Sequence, residues 1–255
     1  MPEHKNRFVF VSPMWNASQY VGQMLASIVG QSYDNWKIIL IDDVSEHNEQ
    51  RHEANIIDLW SKLIPQDQIH VIWNTEKKWE VANVLEGIRN YTKDDDIICR
   101  IDADDWLTDL DALHILNAAY ESTNADAIWT AHRWGYTDQN ISGPMQMGSD
   151  PYKHPWVSSH LKTFRKRLIN DIPYENFTNM NGELVRRAGD QCLYLPILYH
   201  AKKYGYIPRC MYHYTIDEQG GLVYQTDDAK FQKAEADFLR KRGYINYGKS
   251  WEEVI

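Results

Sequence analysis

The chain has 255 residues, enough for one large α/β domain or one domain with a small appendage. It carries 27 Lys and Arg against 36 Asp and Glu, a net charge of −9. That balance argues against a sequence-independent nucleic-acid binder, whose affinity comes from neutralising phosphates, and no run of about 18 apolar residues marks a membrane-spanning helix.

Phe8-Val9-Phe10-Val11 predicts a first strand, closed by Ser12-Pro13. Residues 17–30 place Tyr20, Val21, Met24, Leu25, Ile28 and Val29 at helical spacing, with Gly30 as the stop. Ile38-Ile39-Leu40-Ile41 predicts a second strand ending in Asp42-Asp43, and a helical pattern over 49–63 stops at Pro65. Ile69-His70-Val71-Ile72 is the third strand, 79–91 the third helix and Ile97 to Ile101 the fourth strand. Thr108 and Asp111 then resemble a capping box for a helix reaching Tyr120, which makes Asp109 and Asp111 helix-start residues. Ala127 to Ala131 is the fifth strand. Residues 134–156 are rich in Gly, Pro, Asp, Asn and Met and read as a long loop, a length usually tied to function or mobility. An irregular stretch over 170–182, a helix over 184–204, a strand over Tyr206–Tyr214 and an amphipathic helix from Thr226 to Arg242, ended by Gly243, complete the chain.

This strand–helix alternation predicts an α/β fold: a mostly parallel, Rossmann-like sheet flanked by helices, with a smaller C-terminal region. The expected divisions are 1–133, 134–225 and 226–255. Cys99, Cys192 and Cys210 are odd in number and far apart, with no CxxC pair, so neither a zinc knuckle nor a disulfide framework is indicated. Met1 to Arg7 is polar with no apolar stretch behind it. A reducing, cytoplasmic setting is therefore expected, with any membrane contact peripheral. The 10 Trp and 16 Tyr supply rings suited to sugars and nucleobases, as well as core.

The most informative segment is Arg100-Ile101-Asp102-Ala103-Asp104-Asp105-Trp106. Three carboxylates within four residues follow a buried strand, at the strand end where open α/β sheets bind ligands. Crowded like charges repel unless a cation lies between them, and hard oxygen ligands suit Mg²⁺ or Mn²⁺. The plain alternative is a solvated turn. Asp42-Asp43 closes the second strand, where a carboxylate can bind a ribose or a base imide, or simply form an Asx turn. Trp15 can stack on a nucleobase or fill core, and Asn16 can cap the next helix or touch a ligand.

Taken together, four separated motifs resemble the family 2 glycosyltransferases of the GT-A fold. They are Val11 to Val21, Ser27-Ile28-Val29-Gly30-Gln31-Ser32-Tyr33, Ile39 to Ser45, and Asp102-Ala103-Asp104-Asp105. The resemblance covers roughly residues 7–133 and implies a nucleoside-diphosphate-sugar donor, expected to be UDP-linked. It implies donor contacts at Ser12, Trp15, Asn16 and Asp43, with Trp15 against the base and Asp43 reading it. Asp102-Ala103-Asp104 looks like the family's DXD element, which puts ribose contact and metal ligation on Asp104 and Asp105. Where family members often carry Arg before the equivalent of Asn83, this chain has Ala82; Lys77 or Lys78 could supply the charge, or both could be solvated.

The C-terminal half resembles the family more weakly. Ser158 to Arg165 looks like a stretch beside the donor sugar, which implies roles for His160 and Arg165; a structural histidine is the alternative. Asp190 matches the family's general base, with Glu183 in reserve, although an Asp at a helix start is commonly a cap. Near Tyr212 to Asp217 the family has a metal-binding His; here Asp217 falls in that register, or His213 serves from a shifted position. The resemblance thus implies a Mn²⁺- or Mg²⁺-dependent inverting transferase, with Asp190 taking a proton from a hydroxyl acceptor, expected on a glycan. The loop 134–156 is expected to close over the donor. The acidic charge weighs against nucleic acid as acceptor.

Two other readings compete. A nucleotidyltransferase would show a Gly-rich, basic loop after the first strand, and Ser12 to Gln19 contains no Gly, Lys or Arg. A sugar- or nucleotide-binding module without turnover fits the aromatic content but needs no base.

Overall fold

The computed structural model describes residues 6–216 and 227–255. The first half of the chain alternates strand and helix: β1 (Phe8–Met14), α1 (Val21–Val29), β2 (Trp36–Asp42), α2 (His47–Ser61), β3 (Ile69–Trp73), α3 (Trp79–Tyr91), β4 (Ile97–Arg100). A two-residue strand β5 (Trp106–Leu107), α4 (Ala112–Thr123) and β6 (Ala127–Trp134) follow. The C-terminal part adds β7 (Lys162–Arg165), α5 (Gly189–His200), β8 (Tyr204–Tyr214), α6 (Asp227–Arg242) and the short α7 (Trp251–Val254). All eight strands form one sheet in the order β3-β2-β1-β4-β7-β6-β8-β5.

The sheet has two characters. β3, β2, β1 and β4 run parallel, whereas β7 is antiparallel to both β4 and β6. Residues 135–161 carry no helix or strand, and they return the chain so that β7 enters the sheet from the opposite end. Lys162 therefore lies beside Arg100, and Arg165 beside Ile97.

Alternation along the strands explains why helices cover both faces. Phe8, Phe10, Ile38 and Leu40 join one apolar cluster with Met24, Leu25 and Ile28 of α1 and Leu113 and Leu116 of α4. Val9, Val11, Ile39 and Ile41 join a second with Val84, Leu85 and Ile88 of α3, Leu193 and Ile197 of α5, Leu239 of α6 and Trp251 of α7. On α1 the buried Val21, Met24, Leu25 and Ile28 make the i, i+3, i+4, i+7 stripe that burial selects. α3 lies close on the sheet because Gly87 has no side chain: a Cβ there would stand 3.0 Å from Ile41 Cδ1 and 3.3 Å from Val11 Cγ1.

Two local expectations are corrected. The capping box at Thr108 and Asp111 does not form. Thr108 Oγ1 donates to the carbonyl of Cys210 beside the β5–β8 pairing, and Asp109 Oδ1 instead accepts the Asp111 N–H just before α4. The helix expected from 184 begins only at Gly189. The buried Glu235 carboxylate of α6 accepts the backbone N–H groups of Arg186, Arg187 and Ala188, which takes them out of any helical ladder.

The C-terminal segment is part of the core. Trp251 is fully buried, donates from Nε1 to the Ile169 carbonyl at 2.6 Å and meets Phe177 edge-on. Replacing Trp251 with Ala is expected to cost about 3–5 kcal/mol, as for other large aromatic truncations in cores. Urea unfolding measures this, and a loss below about 1 kcal/mol would mean that the tail does not pack as described.

Candidate active site

Strands β1, β2 and β4 end on one rim, bordering a cleft of about 610 Å³. At the end of β1, Trp15 is 52% exposed and Lys77 Nζ lies 4.1 Å from its ring centroid. Asn16 adopts φ +53°; its N–H donates to Ser45 Oγ, and its Oδ1 accepts the N–H of Glu46. Asn16 thus locks the turn after β2 and does not cap α1. Asp42 is buried and accepts from Ser45 N and Gln50 Nε2. Asp43 accepts the N–H groups of Lys78 at 2.7 Å and Trp79 at 2.9 Å, so its carboxylate sits at the N-terminus of α3, where orphan amides and the helix dipole favour it. It fixes Trp79 at φ +67°, an uncommon conformation for a bulky residue.

The acid cluster at the end of β4 is organised around a buried cation. Arg100 donates from Nη1 to the Val11 carbonyl at 2.7 Å, and from Nη2 to Glu80 at 2.8 Å and Asp102 at 3.0 Å. Asp105 is buried and accepts from Tyr212 Oη and Thr215 N, both at 2.7 Å. Burial, with Asp104 and Asp102 close by, pushes the Asp105 carboxyl well above the usual range. Burial likewise raises Glu80 to about 7, against the pull of Arg100. Among the described residues, Asp102, Asp105 and His160 bring metal-capable atoms within 4.8 Å of one another.

Asp190, in the first turn of α5, completes the group. Lys162 Nζ, itself buried, donates to Asp190 Oδ1 at 2.5 Å and lies 3.2 Å from His160 Nδ1. Asp190 Oδ2 is 3.5 Å from His160 Nε2. Burial works to raise the Asp190 carboxyl, but Lys162, His160 and Arg100 outweigh it and hold it well below the carboxylate range. Asp190 and His160 also line a second cavity of about 500 Å³, walled by Trp134, Trp156 and Tyr214 and bordered by α6. Gly189 lies between Ala188 and Asp190 of this second lining, and an added Cβ there would collide with the carboxylate of Glu80, which lines the first cleft.

The sequence profile described as Glycosyl transferase family 2 matches residues 9–186, more than half of the chain. The chain belongs to glycosyltransferase family 2. No curated protein matches it in sequence. Among solved structures it is similar to S. aureus TarS residues 1–349, with TM-score 0.63 and 15% identity over 91% of this chain and 70% of that one. The same TarS segment in complex with UDP-GlcNAc gives TM-score 0.65 at 14% identity, covering 91% and 71%. The mannosyltransferase PcManGT from Pyrobaculum calidifontis, in complex with GDP-Man and Mn²⁺, gives 0.56 at 14%, covering 88% and 61%. At such identities these likenesses carry the fold, which is GT-A.

In this glycosyltransferase Trp15, Asn16, Asp43, Asp102, Ala103 and Asp104 all line the cleft. Several expected contacts fall elsewhere. Ser12 is buried, with its hydroxyl on Met24 Sδ, because strand alternation turns it into the core. Arg165 lies at the far end of β7, its Nε on the Ala125 carbonyl and its guanidinium over Tyr120, because β7 runs antiparallel. Glu183 pairs with Arg186 and lines neither cavity. His213 stacks on Trp106 and accepts from Arg133 Nε at Nδ1, apart from the acid cluster. Asp217 lies outside the described residues. The loop 134–156 is tied down by Trp129 Nε1 on the Gly143 carbonyl and Tyr204 Oη on that of Gln146.

Glu80, Arg100, Lys162, Arg186 and Arg187 carry site contacts that the sequence reading did not assign.

Three histidines are held neutral. Burial and Lys162 push His160 down to about 3 and His132 to about 4; burial and Arg133 push His213 to about 4. Each lowered value means stability that is whole above the ordinary 6.5 and is lost as pH falls toward the folded value. Ring-nitrogen NMR shifts for these three are expected to stay those of neutral imidazole from about pH 8 to pH 5. A midpoint near pH 6.5 for His160 would contradict the buried geometry.

Proposed function

We propose that the chain moves a sugar from a nucleoside-diphosphate sugar to an acceptor hydroxyl by direct, inverting displacement that depends on a divalent cation. The observation that carries this reading is the convergence of Asp102, Asp105 and His160 within 4.8 Å at the cleft edge that Asp102 lines, with Asp190 beside His160. Two carboxylates and a neutral imidazole are a donor set that fits Mn²⁺, and Mg²⁺ less well because of the nitrogen. Burial first, and then the neighbouring Asp104 and Asp102, raise the Asp105 carboxyl, and a cation at that point would offset both. Asp102, Asp105 and His160 would hold the ion, which supplies charge neutralisation to the departing diphosphate.

The chain's own groups supply the rest. Trp15 offers a half-exposed ring to the base at the cleft mouth, although Lys77 covers part of it. Asp43 spends most of its capacity on α3, so its role in reading the base is shared with its role in shaping the cleft wall. Asp190 Oδ1 is committed to Lys162, which leaves Oδ2 to accept the acceptor's proton. The contact keeps the carboxylate ionised and aimed, at the expense of basicity. The aromatic second cavity, in which Asp190 sits, is the natural seat for a glycan acceptor. UDP-linked sugars are the first donors to test, and GDP-mannose the next, given the ligands of the similar structures.

The test is Mn²⁺-dependent release of nucleoside diphosphate across a panel of sugar nucleotides. Asp190→Asn is expected to lower kcat by about 10²–10⁴ while donor Kd stays within about twofold. Wild-type turnover in that variant removes Asp190 as the base. Asp105→Asn is expected to abolish the Mn²⁺ response in both turnover and metal-dependent donor binding, and Asp104→Asn to weaken it less. Full turnover by wild-type enzyme in EDTA would sink the metal assignment.

A further inference from the structure

Both signs of charge line the cleft: Asp43, Glu80, Asp102 and Asp104 against Lys77, Arg186 and Arg187. All three cations gather around one indole. Lys77 Nζ lies 5.1 Å from the Trp79 ring, Arg187 Cζ 4.8 Å and Arg186 Cζ 5.8 Å. Grouped positive charges repel one another, and burial together with the Arg187 charge works to lower the Lys77 pKa against Asp43. Each of the three has a carboxylate partner. Asp43 is 3.9 Å from Lys77, while Glu183 and Asp228, which pair with Arg186 and Arg187, do not line the cleft.

A second, independent observation points into the same space. Asn83 is buried on the cleft wall, and its Oδ1 accepts from Asn74. Its Nδ2 has no hydrogen-bond partner among the described residues. A buried donor of this kind is uncommon unless a ligand or water satisfies it.

Resting on the reading of the cleft as a sugar-nucleotide site, we infer that Lys77, Arg186 and Arg187, arrayed by Trp79, form with Asn83 a wall that grips the donor's diphosphate. The leaving group is then held from two sides, and the protein binds nucleoside diphosphate even without a metal. Trp79 is a positioning residue: its ring gives the cations a common face, and Asp43 fixes its backbone.

The probes are UDP and GDP, with uridine and guanosine as controls, titrated calorimetrically in EDTA. Wild-type protein is expected to bind one diphosphate at least about tenfold more tightly than its nucleoside. Arg187→Met is expected to lose about tenfold in that affinity, the Lys77→Met/Arg187→Met pair about a hundredfold, and Arg187→Lys less than either. Nucleoside affinity should stay within about twofold in Arg187→Met and Arg187→Lys, because Arg187 does not touch the Trp15 ring. Trp79→Leu should behave like Arg187→Met, with Trp79→Phe recovering most of the loss. Wild-type affinity for the diphosphate should fall severalfold between about 50 and 500 mM NaCl, a readout that needs no variant to fold. Equal binding of diphosphate and nucleoside, or no salt dependence, overturns the inference and leaves the sugar-nucleotide reading standing. If neither ligand binds wild-type protein, with or without Mn²⁺, both fall together.

Discussion

The site depends on a guanidinium buried at the end of β4. An unpaired charge in that position would cost several kcal/mol. Arg100 avoids this by donating to two backbone carbonyls, Val11 and Ile101, and to two carboxylates, Glu80 and Asp102. One side chain thereby joins β1, β4, α3 and the acidic turn. The same charge lets acids crowd the turn without pushing it apart. Remove it, and Glu80, Asp102 and Asp105 would face one another in a space that excludes much of the solvent.

Environment divides the work among carboxylates that are chemically alike. Asp105 and Glu80 are raised by burial, whereas Asp190, beside the Lys162 ammonium, is held ionised. Both signs of charge line the cleft, with the cations gathered near Trp79. A ligand with an uncharged ring at one end and clustered negative charge at the other suits that pattern.

Much of this was legible in the sequence because it is local. The runs at Phe8, Ile38, Ile69 and Ile97 are continuous and apolar, and the intervening helices carry clean stripes, so β1 to β4 and α1 to α3 fall where periodicity places them. The tips of those strands delivered Trp15, Asp43 and Asp102 to one cleft for the same reason. What failed was nonlocal. Nothing near Arg165 says that β7 runs backwards, so its placement beside the donor could not survive. The start of α5 is set by a carboxylate 47 to 49 residues away. Thr108 left its capping role because β8 pairs beside it. Glu80 stands in the first turn of α3, and nothing near it in sequence says that Arg100 and Gly189 close around it.

Glu235 ties α6 to the backbone that bears Arg186 and Arg187, and α6 also borders the cavity that holds Asp190. The helix is therefore no interchangeable cassette. Grafting a foreign α6 to retune one chamber would unseat the basic wall of the other unless the graft kept an acid at position 235. Divergence among close homologues should accordingly concentrate on the outward side of that helix, while its latch stays put.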